Sequence, residues 1–311
     1  MRLISLFLMF LSTVLLFNIY ADDNEPAVPL DGRGGGVIAY CYQPLDGSGY
    51  HQIFIMNADG SGNRKLIEAG MGLNHHNWSP DAKRITAVGY PNDSTWSIFV
   101  FNTDGTGLTR LTNKENVWDS EPTFSPSGAE IAFSRVPPMK VAESELWIMN
   151  ADGTNQRAIN IRGFLAKWSP DGKKFIYVSN RSGNFEIYTC NIDGTNETRL
   201  TTTDGDEANP IWCPDGQNIL FSRSDDKSMK GYEIYRMKID GTELTRLTNN
   251  DSYDSYPKLS PDGKQIAFTS DLSGAGHYEV YIMNYDGTDI RRLTVNPERK
   301  TAINPDWRPV N

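Results

Sequence analysis

Phe164-Leu165-Ala166-Lys167-Trp168-Ser169, Pro170-Asp171-Gly172, Lys174–Ser179, Phe185–Asn191, Asp193-Gly194-Thr195 and Arg199-Leu200-Thr201 follow one another in 38 residues, and this stretch decides the fold. Ser-Pro-Asp-Gly suits a type I turn, because Pro holds φ near −65° at the second position and Gly accepts the left-handed bend after it. Asp-Gly between two apolar runs is the strongest short hairpin signal. The runs themselves, such as Phe185 to Tyr188, are nearly continuous in apolar residues, as in strands covered on both faces. Four strands joined by tight hairpins follow: an inner strand Phe164–Ser169, a second, a third, and an outer strand Asn196–Thr201.

The same phrase recurs along the chain. Its Asp-Gly half stands at Asp59-Gly60, Asp104-Gly105, Asp152-Gly153, Asp193-Gly194, Asp240-Gly241 and Asp286-Gly287, 41 to 48 residues apart, a period that belongs to propeller blades. The Pro half stands at Pro80, Pro126, Pro170, Pro214, Pro261 and Pro309. The last Pro has no blade after it and the first Asp-Gly has no Pro before it, so a linear array would leave open strand edges at both ends. Placing Ala302–Pro309 beside Val37–Cys41 removes them. The expected fold is all-β: a six-bladed β-propeller of four-stranded antiparallel blades, closed by the C-terminal strand completing the first blade.

Domain organisation is expected to be simple. Residues 1–21, with Arg2 ahead of the apolar run Leu3 to Phe17 and Ala21 before acidic residues, read as a secretory signal, with an uncleaved anchor as the alternative. Residues 22–36 read as a flexible lead-in, and 37–311 as the propeller. The net charge of −9, to which the leader contributes only Arg2, disfavours nucleic acid and anionic lipid as partners. Cys41, Cys190 and Cys213 read as buried thiols, with a Cys190–Cys213 bridge as the alternative.

Two residues before each Pro stand Trp78, Phe124, Trp168, Trp212, Leu259 and Trp307, a column read as large side chains wedged between neighbouring blades. Both tight turns fall on one face of the disc. The irregular connections, among them 113–120, 136–143 and 202–208, fall on the other, where function is expected.

The search for chemistry finds no Gly-x-Ser-x-Gly elbow, phosphate loop, His-Glu-x-x-His or Cys-x-x-Cys. Of His51, His75, His76 and His277, only His75-His76 form a pair, and strand neighbours point to opposite sides, which argues against one shared metal. Five positions before each Pro lie His75, Glu121, Leu165, Asn209, Tyr256 and Asn304, expected to converge on the axial tunnel; three before lie Asn77, Thr123, Lys167, Ile211, Lys258 and Asp306. Further out stand Asp119, Glu207 and Asp254. A ring of carboxylates and amides suits a hard cation such as Ca²⁺, but solvated loops explain the same residues, so no cofactor is expected beyond that one option and the metal stays unknown. The candidate binding face is His75, His76, Asn77, Trp118, Asp119, Glu121, Asp206, Glu207, Asn209, Asp254, Tyr256 and Asn304.

The repeated phrases Trp168-Ser169-Pro170-Asp171-Gly172-Lys173, Asn191-Ile192-Asp193-Gly194-Thr195 and Arg199-Leu200-Thr201 resemble the propeller repeats of the TolB family. That resemblance implies a periplasmic protein whose loop-rich face binds a partner of the peptidoglycan-associated lipoprotein type; with catalytic motifs absent, the expected function is a non-catalytic protein-binding module of the cell envelope, periplasmic or secreted, a monomer with no membrane span once the signal is removed. TolB carries an α/β domain ahead of its propeller, whereas only residues 22–36 separate signal and first strand here, so a stand-alone propeller is expected and the TolA-binding role does not carry over. Similar repeats occur in prolyl oligopeptidases and in oligogalacturonate lyases, the latter with a metal and His ligands in the central pocket. The alternative function is accordingly a carbohydrate-binding or carbohydrate-active protein using the tunnel mouth, with or without a divalent cation.

Overall fold

Hairpins repeat through the structure, a computed structural model that describes residues 30–32, 34–44, 51–92, 95–225, 231–274, 277–295 and 300–310. Residues 1–21, read as a signal, lie outside the described residues, as does most of the lead-in 22–36. Among the described residues no helix is long and apolar enough to cross a membrane.

Local chemistry explains the hairpins. At the Asp-Gly turns the carboxylate bends back to accept the backbone N–H and the hydroxyl of the Thr two residues on, at 3.0 and 2.6 Å for Asp193 and Thr195 and again for Asp104, Asp152, Asp240 and Asp286. Gly194 sits at φ 82°, where a Cβ would meet the Ile159 carbonyl oxygen at 2.3 Å, so only glycine fits. At the Pro turns the Ser hydroxyl donates to the Asp carboxylate, Ser169 to Asp171 at 2.7 Å, and accepts the Lys174 N–H at 2.9 Å. Ala82 replaces glycine in one of these turns and is held at φ 54°, a left-handed position that costs a residue with a Cβ on the order of 1 kcal/mol.

Five of the outer strands are only two residues long, so that Thr198–Arg199, not Asn196–Thr201, is paired, while Arg157–Arg162 keeps six. Arg-Leu-Thr makes up for the lost ladder. The Thr201 hydroxyl accepts the Ile187 N–H at 2.9 Å while Arg199 Nε donates to the Thr201 carbonyl at 2.6 Å, and the pattern recurs at Arg110/Thr112, Arg246/Thr248 and Arg292/Thr294.

The expectation of six separate four-stranded antiparallel blades is corrected by the sheet topology. Four sheets of four strands stand alone: Lys300–Trp307 with Val37–Pro44, Gln52–Asn57 and Arg64–Lys65; Phe164–Trp168 through Thr198–Arg199; Asp206–Trp212 through Thr245–Arg246; and Asp254–Leu259 through Arg291–Arg292. The other eight strands, from Gly72–Trp78 to Arg157–Arg162, form one continuous sheet. Its two halves meet in a parallel bridge, Trp96 opposite Trp118. At that bridge the two indoles stack with centroids 4.7 Å apart and planes 15° from parallel, an aromatic contact between Thr95–Asn102 and Trp118–Phe124. A repeat motif specifies hairpins and turns; it does not specify where one sheet's edge meets the next.

The inner strands pack side by side around an axis, and Lys300–Trp307 lies against both Asp254–Leu259 and Gly72–Trp78, closing the ring. Lys300–Trp307 also pairs antiparallel with Val37–Pro44, Ile38 opposite Trp307 and Tyr42 opposite Ala302. The aromatic column lies between sheets. Trp307 shares a buried cluster with Ala267, Val280 and Ile282 of the preceding sheet, and Trp168 with Ala132, Leu146 and Ile148. Each ring of this size buries about 150–250 Å². Replacing Trp307 by Ala is expected to cost about 3–5 kcal/mol and lower Tm by roughly 6–20 °C, and deleting residues 302–311 to do more. Thermal melts of the two variants beside the parent check this; a truncation melting with the parent would show that the end-to-end pairing contributes nothing.

Candidate functional site

Every inner strand carries the same irregularity. The register to its neighbour slips between Asn74 and Asn77, Ser120 and Thr123, Phe164 and Lys167, Ala208 and Ile211, and Ser255 and Lys258, with the matching slip between Ala39 and Cys41 opposite Ile303–Asp306. These are β-bulges, and each places a non-glycine residue in the left-handed region: His75 (φ 47°), Glu121 (56°), Leu165 (57°), Asn209 (52°), Tyr256 (54°) and Asn304 (56°). A residue with a Cβ pays on the order of 1–2 kcal/mol for that conformation. The recurrence aims all of them at the axis, where they line an opening together with His76, Lys167, Ile211, Pro257 and Lys258.

The bulge also alters the expected geometry of the histidine pair. His75 and His76 are chain neighbours, yet both line the opening, because the left-handed turn at His75 interrupts the strand alternation that would separate them.

Charge in the tunnel is mixed. Lys258 Nζ lies 3.2 Å from Asp306 Oδ1, and Asp306 Oδ2 accepts Asn77 Nδ2 at 3.1 Å and the Trp78 N–H at 3.3 Å. Glu121 Oε1 lies 3.8 Å from His75 Nδ1, and Glu121 Oε2 is buried without a hydrogen-bond partner. Burial pushes the Glu121 carboxyl up to about 7, with the positive charge of Lys167 opposing. Burial, reinforced by Lys258, pulls the Lys167 ammonium down to about 8. Burial also brings His75 down to about 3 and His76 to about 4, so both rings are neutral at pH 7.

The other expected site residues belong to the scaffold. Asn77 bridges strands, accepting the Phe124 N–H at 3.0 Å while donating to Asp306. Trp118 is stacked on Trp96. Asp119, buried, takes a two-pronged pair from Arg135 at 2.7 and 2.8 Å. Asp206 accepts the Phe185 N–H at 2.9 Å. Asp254, buried, accepts from Asn250 Nδ2 at 2.8 Å. Glu207, buried, accepts the Thr203 hydroxyl at 2.7 Å; burial raises its carboxyl to about 8, with Glu186 facing it. Glu186 Oε2 is buried without a hydrogen-bond partner, and the Glu207 carboxyl lies within hydrogen-bonding reach of Glu186.

The structure therefore brings His75, His76, Glu121, Asn209, Tyr256 and Asn304 together and places the remaining six between strands. The expected face omits Lys167 and Lys258, which the tunnel includes. Their signal is the column three residues before each Pro, which the bulge turns toward the axis. Among the described residues no three His, Cys, Asp or Glu side chains form a group able to hold a metal. Cys41, Cys190 and Cys213 are buried free thiols, with Cys41 Sγ 3.3 Å from His76 Nδ1.

Residues 162–231 match a family described as the TolB beta propeller domain. An uncharacterized protein of Agrobacterium fabrum is 30% identical over 161 residues, 48% of this chain and 50% of that protein. An oligogalacturonate lyase of Dickeya dadantii is 26% identical over 40% of this chain and 34% of the lyase. The alignments thus span half or less of these curated relatives. The crystal structure of TolB from Acinetobacter baumannii superposes with a TM-score of 0.75 at 23% identity, over 89% of this chain and 67% of that one, a likeness of fold.

The Glu186–Glu207 pair predicts a pH dependence. The folded chain holds a proton at Glu207 that the unfolded chain releases above about 4.5, so this group stabilises fully at low pH and its contribution is lost as pH rises toward 8. Glu121 acts in the same direction up to about 7. Glu207→Gln keeps the hydrogen bonds and does not titrate. Melting curves from pH 5 to 8.5 are expected to fall less steeply for it than for the parent; equal slopes would mean that Glu207 is ionised in the fold.

Proposed function

Because the chain is a TolB-like β-propeller, we propose that it is a non-catalytic protein-binding module of the cell envelope, exported to the periplasm or secreted, and that its partner docks on the face of the irregular connections. The observation that carries this reading is the asymmetry of the two faces. On the tight-turn face the polar side chains are engaged in the turns themselves, the Asp carboxylates with Thr and the Ser hydroxyls with Asp, in copy after copy. A surface so closed on its own hydrogen bonds offers a partner few free donors or acceptors.

The opposite face has no such uniform chemistry. It is built from connections of differing length, exposes Lys114, Glu115 and the apolar Met139 and Leu272, and adjoins the start of each inner strand. By resemblance to TolB, a lipoprotein of the peptidoglycan-associated type is the first partner to test. Export rests on the signal-like residues 1–21.

Binding of that purified lipoprotein can be measured by calorimetry with the parent, with Lys114→Glu combined with Met139→Asp, and with Leu244→Ser on the tight-turn face. The first variant is expected to lose about tenfold in affinity or more, equivalent to about 1.4 kcal/mol, and the second to bind as the parent, with Tm unchanged in both. Equal affinity for all three, or loss confined to Leu244→Ser, would overturn the assignment of the face.

A further inference from the structure

Lys167 lines the tunnel half-buried and makes no direct ion pair or hydrogen bond among the described residues; the Glu121 and Asp306 carboxylates act on it only through space. The neighbouring carboxylates compensate it only in part, since Glu121 itself carries a proton below about 7. Asp306 holds Lys258 with one oxygen and Asn77 and the Trp78 amide with the other; Glu121 faces His75 and the Leu165 amide. Removing an ammonium from water without compensation is costly, and the opening in front of Lys167 leaves room for a compensating anion.

The surroundings restrict what that anion is. Asn304 and Tyr256 present an amide and a hydroxyl to the opening with no side-chain hydrogen bond among the described residues, and Leu165, Ile211 and Pro257 supply an apolar wall. With Lys167 and Lys258 against Asp306, and Glu121 protonated below about 7, the opening carries one net positive charge, which a monoanion balances and a dianion such as phosphate exceeds. A monovalent, planar acceptor with two oxygens matches one ammonium and two neutral donors.

We propose that the tunnel binds a single carboxylate group, with Lys167 carrying its charge and Asn304 and Tyr256 donating to its oxygens. This goes beyond the docking face proposed above and does not depend on it: the site lies on the axis, and a small molecule suffices to test it. The carboxylate can come from an acidic peptide side chain or from a sugar acid, since either presents the same group.

A pH signature follows from the groups facing Lys167, namely Lys258, Asp306, Glu121, His75, His76 and Tyr256. Both histidines stay neutral above pH 5. Below about 7 Glu121 becomes protonated and stops repelling the ligand, while above about 8 Lys167 loses its charge. Affinity is highest near pH 6.5 and falls about tenfold by pH 9.

The experiment is calorimetric or NMR titration of the purified protein at pH 6.5 and 9 with acetate, an end-blocked aspartyl tripeptide and glucuronate, each beside its neutral counterpart: acetamide, the asparaginyl tripeptide and glucose. At least one carboxylate is expected to bind at pH 6.5, ten times more tightly than its neutral counterpart, and to weaken about tenfold at pH 9. Lys167→Gln is expected to abolish that preference with Tm retained, and Lys167→Arg to keep it. Tighter binding of the peptide would identify a protein segment as the source, and tighter binding of glucuronate a saccharide. Absence of carboxylate binding at ~10 mM ligand, equal binding of acid and neutral forms, or full binding by a folded Lys167→Gln would each overturn the proposal. The acid-versus-neutral and pH comparisons use the unaltered protein, so they decide the matter even where a variant misfolds.

Discussion

The large side chain two residues before each Pro, an indole at Trp78, Trp168, Trp212 and Trp307, packs at the approach of neighbouring inner strands, and the closed ring depends on it. Trp78 Nε1 donates to the Asp306 carbonyl at 3.2 Å, Trp168 to Thr123 at 3.1 Å and Trp307 to Lys258 at 3.0 Å. In each case the acceptor is the residue three before Pro on the preceding inner strand. One side chain thus supplies apolar contact across the gap between sheets and a directed hydrogen bond that sets the approach of neighbouring inner strands. Where the residue changes, the tie weakens in kind: Phe124 and Leu259 keep the packing and lose the donor, and Trp212 Nε1 is buried without an acceptor.

That tie and the tunnel are two consequences of one geometry. The inner strands are held close enough to the axis that a straight strand would send alternate side chains into one another. A bulge at the same position in each strand turns one residue into left-handed backbone and opens the centre. The cost is local strain, repeated at every inner strand and sustained by the packing between sheets. The tunnel residues are free to differ because the bulge, and not the side chain, creates the site: His75, Glu121, Leu165, Asn209, Tyr256 and Asn304 share a conformation and no chemistry.

The acidic residues ahead of these bulges illustrate how a repeat hides a role. Asp119, Glu207 and Asp254 occupy one column and look from the sequence like an outer acidic ring. In three dimensions each is buried against the sheet before it or its own, Asp119 on Arg135, Glu207 beside Glu186 and Thr203, Asp254 on Asn250. Spacing alone does not distinguish a carboxylate facing solvent from one closing a buried network, because both lie at the same distance from the turn. Lys167 and Lys258 stand in the column three before Pro, outside the expected binding face, and only the closed ring shows that they line the opening.

What the sequence by itself determined is local. Ser-Pro-Asp-Gly and Asp-Gly-Thr dictate hairpins through Pro's fixed φ, glycine's left-handed freedom and short-range hydrogen bonds, all within five residues of chain. The likeness of Asn304–Pro309 to Asn209–Pro214 marks the C-terminal segment as an inner strand, and that segment pairs with Val37–Pro44. The tertiary structure alone decided what depends on contacts between distant segments. It merged eight strands into one sheet where Trp96 meets Trp118, selected which residues of the inner strands reach the axis, and gave Lys258 a direct ion pair with Asp306 while leaving Lys167 with none. Turn chemistry is short-ranged and survives in any context, whereas side-chain neighbours across sheets exist only once the ring has closed.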